Sequence, residues 1–150
     1  MIIPKKVYKE IQKNIPLLCV DCLLIFNKKC LLLRRLNNPA KGKWWFPGGR
    51  ILKNELIKNA AVRKIKDEVG LNAKFRKILS IQETIFPRVE NMISDIHTVN
   101  ICCYLVTENI KNIKIDNYHD GFMWVDLNHA KNLNLDNAVL KPLLLGLNCN

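Results

Sequence analysis

Long apolar runs are missing from the chain. No stretch of its 150 residues approaches the roughly 18 that a membrane-crossing helix needs, which excludes helical spans. The first fourteen residues, MIIPKKVYKEIQKN, are too polar and charged for a secretory signal, so a soluble protein of the cytoplasm is expected. Repeats, low-complexity tracts and linkers are also lacking, and one domain over residues 1–150 is expected. Acidic residues are scarce, 13 against 24 Lys and Arg, and the net charge of +11 favours an anionic partner. Lys5, Lys28, Lys53, Lys74, Lys111 and Lys131 are scattered, however, with no dense basic block and no interleaved aromatics. That distribution argues against a dedicated nucleic-acid surface and suits the steering of a phosphorylated small molecule. A second CxxC is absent too. Cys19 and Cys22 stand three apart in an apolar run that reads as a strand, which sends them to opposite faces, and Cys102-Cys103 lies in another such run. The six cysteines therefore read as buried free thiols rather than a zinc or redox site.

What is present alternates between strand and helix signals. Pro4 to Asn14 has Val7, Tyr8 and Ile11 at helical spacing. Leu17–Phe26 and Cys30–Arg35 read as a hairpin about Asn27-Lys28-Lys29, and Leu36–Lys43 as a loop carrying turn residues. Trp44-Trp45-Phe46 lead into Pro47-Gly48-Gly49, read as a turn before a helix. Asn54 is its expected N-cap and Gly70 its C-terminal stop, while Ile57, Ala61, Ile65 and Val69 form a buried stripe. Strands are expected over Ala73–Ile85, bent or interrupted, Ile96–Val106 and Phe122–Val125. Asp126 can cap a helix, and Asn137–Leu145 forms a last one despite Pro142. The expectation is a mixed α/β protein, mostly strands with two or three helices.

The stretch PGGRILKNELIKNAAVRKIKDEVGL carries the chemistry. Glu55, Asn59, Arg63 and Asp67 recur every four residues, with Glu68 one step round the helix. Two readings suit these charges: a solvated face holding the pairs Arg63–Asp67 and Lys64–Glu68, or a site that gathers carboxylates. Gly48-Gly49 upstream favours the second, because backbone without a Cβ lets a ligand approach closely.

The spacing Gly49-x5-Glu55-x7-Arg63-x-Ile65-x-x-Glu68-x-Gly70-Leu71 resembles the Nudix box over residues 49–71. The resemblance implies an α/β/α sandwich around a mixed sheet, and hydrolysis of nucleoside diphosphate derivatives with Mg²⁺ or Mn²⁺. Two positions depart from the box: Asp67 stands for a Glu, and Lys64 stands for the first Glu of its carboxylate cluster. An ammonium can neither ligate Mg²⁺ nor accept a proton at neutral pH. Residues Asn38–Arg50, Pro16–Asp21 and Tyr118–Trp124, together with the N-terminal helix at about 4–14, resemble GDP-mannose mannosyl hydrolases, a Nudix subfamily that also lacks this Glu. Those enzymes are dimers. They release GDP and mannose by water attack at the anomeric carbon, with inversion.

Carried over residue by residue, the resemblance implies His119 as the base and Glu68 with the Gly49 carbonyl as metal ligands. Asp67 helps there or only pairs with Arg63, and Tyr118 is a weak ligand where the subfamily has Gln. Arg35 and Arg50 are expected on the diphosphate, whose oxygens match guanidinium forks. Asp21 is expected to bond a sugar hydroxyl or orient a neighbour, and Tyr8, Trp44 and Trp45 to stack on the base or pack in the core. His97 and His129 read as structural or surface residues. Two alternatives stay open, a pyrophosphohydrolase attacking phosphorus and a non-catalytic nucleotide or RNA binder.

Overall fold

Four helices and seven strands make up residues 3–149, the part described by the computed structural model. Strand β1 (Leu17–Phe26) is the centre of a mixed sheet. It runs parallel to β6 (Ile96–Val106), which pairs antiparallel with the edge strand β5 (Lys74–Phe86). On the other side β1 meets β2 (Lys29–Arg35), and β2 is flanked by β3 (Trp44–Trp45) and β7 (His119–Val125). Because strand side chains alternate, Val20, Cys22 and Leu24 face one core with helix α2 (Ile57–Val69), whereas Leu23 and Ile25 face the other. Short α3 (Leu127–Asn132) and α4 (Asn137–Leu147) cover that second face. Both faces are buried, so β1 reads as an apolar run interrupted by Asp21, and the architecture is an α/β/α sandwich. Ile65 and Val69 on α2 are fully buried and contribute about 2 kcal/mol each on leaving water.

Local signals account for the punctuation. Asn27 and Lys28 both have positive φ, 47° and 60°, as a two-residue hairpin turn requires. Gly70 caps α2 in the left-handed conformation at φ 76°. Pro142 cannot donate to Ala138 one turn earlier in α4, and the freed Ala138 carbonyl accepts instead from Gln82 Nε2 at 3.2 Å. The helix therefore continues through the proline to Leu147.

Several sequence expectations need correction. Gly48-Gly49 is not a turn but part of β4 (Gly48–Arg50), which pairs antiparallel with Cys19–Asp21 of β1. A Cβ on Gly48 would lie 2.2 Å from the Val20 carbonyl oxygen, so glycine is needed for strands to meet there. Asn54 is not the N-cap. It takes φ 65°, and α2 starts at Ile57 after Leu56, which makes no side-chain cap. Glu55 precedes the helix and accepts from Leu52 N at 2.9 Å. The strand expected from Phe122 begins at His119, so this histidine is held in the sheet opposite Arg35 rather than in a loop. Among the described residues the helices number four, since the capped segment after Asp126 and the last helix both form.

Candidate active site

Strand β1 changes partner along its length, pairing with β4 at Cys19–Asp21 and with β2 at Ile25–Phe26. At the β4 end lies a cleft of about 480 Å³, into which β1, β2, β4, α2 and β7 each bring polar residues. Its lining brings together Tyr8, Asp21, Arg35, Gly49, Arg50, Glu68, Tyr118 and His119, eight of the nine site residues expected from the sequence. The ninth, Asp67, is outside. Its side chain is 57% exposed and lies 3.6 Å from Arg63 Nη1, because it stands one residue round α2 from Glu68. Trp45 is buried on the cleft wall against Phe86, whereas Trp44 packs on Gly121 and beneath Arg34. His97 is paired with Glu83 and His129 lies in α3, both away from the cleft.

His119 is buried, and its Nδ1 sits 2.7 Å from Asp116 Oδ1. A carboxylate accepting from Nδ1–H leaves Nε2 as the lone-pair nitrogen, the tautomer a general base needs. Asp116 also accepts from Tyr118 N at 3.0 Å, which fixes the turn before His119. Arg35 donates Nε to the Pro39 carbonyl at 2.8 Å, and it feels the charge of the Glu68, Asp21 and Asp116 carboxylates. Burial lowers its affinity for the proton, and those three carboxylates oppose the shift. Arg50 lies over the Tyr8 ring at 4.3 Å, a cation–π contact that ties helix α1 (Lys5–Asn14) to the cleft.

Asp21 is almost fully buried inside β1. Burial is the main reason its carboxyl is pushed up to about 7; the Asn100 side chain and Arg35 pull the other way, and Glu68 adds to the rise. The folded protein thus holds a proton between 3.8 and about 7 that the unfolded chain gives up. Stability is greatest below this window and falls as pH rises through it. Asp21→Asn is expected to raise stability at pH 8 on the order of 3 kcal/mol and to change it little at pH 4. Urea melts at the two pH values check this, and an equal gain at both would refute it. Cys19 also lines the cleft, but burial pushes its thiol up to about 12, so it is no nucleophile at neutral pH.

Arg63 forms the other half of the α2 arrangement. It grips Glu55 through Nε and Nη2 at 2.6 and 2.9 Å and donates Nη2 to the Arg50 carbonyl at 3.2 Å. This fork staples the segment between β4 and α2 beneath Arg50 rather than reaching the cleft. Glu68 is buried and faces inward. Oε2 accepts from Gly48 N at 3.1 Å, and Oε1 lies 2.6 Å from Lys64 Nζ. Each oxygen thus already faces one of the chain's own donors. Among the described residues no three of His, Cys, Asp and Glu cluster as a metal site. Mg²⁺ is commonly held by one or two carboxylates together with substrate phosphates, and here the α2 carboxylate that faces the cleft already carries an ammonium, which opposes a divalent ion beside it.

Sequence reasoning missed Asp116, Asn100 and Thr98. The Asp-x-x-His spacing was a usable signal for the first, and a polar Asn100 inside the apolar strand β6 for the second. Thr98 donates to Asn100 Oδ1, which turns the Asn100 amide toward Asp21.

Residues 16–144 match the NUDIX domain, and the chain belongs to the Nudix family. The low-salt glycan biosynthesis protein Agl8 of Haloferax volcanii is 30% identical over 122 residues, 78% of this chain and 75% of that protein. The ADP-ribose pyrophosphatase of Methanocaldococcus jannaschii is 39% identical over 66 residues, 44% of this chain and 39% of that enzyme. Among solved structures, the MutT protein of Methanosarcina mazei superposes with a TM-score of 0.68 at 21% identity, covering 89% and 94% of the two chains. The NUDIX domain of Shewanella oneidensis NrtR, solved with ADP ribose, gives 0.67 at 19% identity over 95% and 96%. At these identities the structural likeness speaks to the fold. Among the described residues no helix is long and apolar enough to cross a membrane.

Proposed function

We propose that the protein is a Nudix hydrolase of nucleoside diphosphate derivatives, and that it cleaves a nucleotide sugar by water attack at the anomeric carbon. GDP-mannose is the first substrate to test. The observation that carries the reading is the His119–Asp116 pair on the cleft wall, in a helix context where Lys64 stands in place of a carboxylate base. In this step water oxygen bonds to the anomeric carbon as the carbon–oxygen bond to the diphosphate breaks. The bonding electrons leave with GDP, and the proton of water passes to His119 Nε2. Arg35 and Arg50 meet the charge that grows on the diphosphate, and Asp21 with Asn100 is the pair available to the sugar hydroxyls. The net charge of +11 draws such an anion to the cleft. A relative named for glycan biosynthesis is in keeping with a sugar-bearing substrate.

A second reading, attack at phosphorus, draws on the local similarity to an ADP-ribose pyrophosphatase. Hydrolysis in ¹⁸O water separates the two. Label is expected in the free sugar, and label in a phosphate would assign the protein to the pyrophosphohydrolases. Absence of turnover on a panel of GDP- and other nucleoside diphosphate sugars would leave only a binding role.

A further inference from the structure

Lys64 lines the cleft with its side chain only 19% exposed, and it pairs with the still more buried Glu68 at 2.6 Å. The pocket that receives it is made by a missing side chain. A Cβ on Gly49 would lie 3.1 Å from Lys64 Cε and 3.3 Å from Nζ, tighter than an ordinary contact, so the glycine gives the ammonium room to lie against the β4 backbone. Gly49 has φ 146°, outside the range that L side chains adopt with ease. Ammonium, Gly49 backbone and Glu68 thus share one spot on the cleft floor, and Cys19 feels both Lys64 and Arg50 across it. An ammonium has three N–H donors, and the contact with Glu68 uses one. Glu68 Oε2 is taken by Gly48 N, Asp67 is turned out to Arg63, and Glu55 is gripped by the same arginine. A divalent ion entering here would find Glu68 already paired with an ammonium, and Asp21, the other acid of the cleft lining, is buried against Asn100.

We propose that Lys64 is the cleft's built-in cation. Its ammonium occupies the place between Gly49 and Glu68 and, with Arg35 and Arg50, binds the diphosphate of an anionic ligand that carries no divalent metal. The binding role stands independently of the hydrolysis reading, and only its contribution to turnover rests on that reading. Lysine on this floor differs from a dissociable metal in one testable respect: the cation is always present, so ligand affinity does not depend on added Mg²⁺.

The purified full chain is titrated with GDP and with inorganic pyrophosphate, in EDTA and in Mg²⁺, by calorimetry. Wild-type affinities are expected to agree within about threefold between the two buffers. Lys64→Met, which keeps the length and removes the charge, is expected to weaken binding about tenfold in EDTA. In a separate Mn²⁺ titration followed by electron paramagnetic resonance, Lys64→Glu is expected to bind Mn²⁺ about tenfold more tightly than wild type. GDP binding by the wild type only when Mg²⁺ is present would overturn the proposal. So would wild-type Mn²⁺ uptake as tight as that of Lys64→Glu. Should either variant fail to fold, the wild-type comparisons decide alone. Because every readout is binding, a protein that releases no sugar yet binds GDP in EDTA would defeat the hydrolase reading and leave this one standing.

Discussion

Replacing His119 with glutamine is expected to lower turnover of a nucleotide sugar about a thousandfold, with substrate affinity held within about threefold. The split follows from position. His119 is buried at the start of β7, where pairing with Arg35 on β2 sets its depth and Asp116 holds Nδ1 at 2.7 Å. What such a residue offers is a proton acceptor at a fixed place, which counts when water attacks and hardly at all when substrate binds. Glutamine retains hydrogen bonding toward Asp116 but takes no proton at neutral pH. In the proposed reading Arg35, Arg50 and Lys64, which all line the cleft, bind the diphosphate and are untouched, so affinity is expected to be preserved. Steady-state kinetics paired with calorimetric binding of a non-hydrolysed analogue checks it. Equal losses in turnover and affinity would rule out a base role for His119.

Gly48→Ala is expected to cost on the order of 4 kcal/mol and about 10 °C in melting temperature. The new methyl group would lie 2.2 Å from the Val20 carbonyl oxygen and 3.2 Å from Asp21 Oδ1. The first neighbour is backbone of the central strand, so relief requires β4 to move off β1. That movement would also withdraw the Gly48 amide from Glu68 and reshape the cleft floor. Gly121→Ala is the control, because its Cβ would meet Trp44 at an ordinary 3.5 Å and is expected to change stability by less than about 1 kcal/mol. Equal melting temperatures for the two variants would show that the strand contact at Gly48 is soft.

The elements easiest to read in the sequence were those governed by local chemistry. Strands β1 and β6 appear as apolar runs because both faces of the sheet are covered, and Asn27-Lys28 and Gly70 adopt the left-handed backbone their positions require. Helix α4 was legible despite Pro142, although its tolerance depends on a distant group, Gln82, that no local pattern reveals. The misread segments are those settled across the fold. Gly48-Gly49 has the composition of a turn but pairs as a strand, since β1 offers it an open edge. Asn54 has the chemistry of a cap, but the Arg63–Glu55 fork fixes the segment before α2, and the helix starts later.

The sequence by itself determined the Nudix box, a mixed α/β content and the residue types available for chemistry, because spacing on one helix and alternation along strands are local properties; the resemblance carried by the box implied the sandwich. Only the tertiary structure decided which of two adjacent acids, Asp67 or Glu68, faces the cleft, and that Asp116 rather than any neighbour of His119 in β7 orients the imidazole. The tertiary structure alone also placed Lys64. Its ammonium lies where it does because a glycine on another element leaves room for it, and the space vacated by a missing Cβ exists only after β4 and α2 have packed.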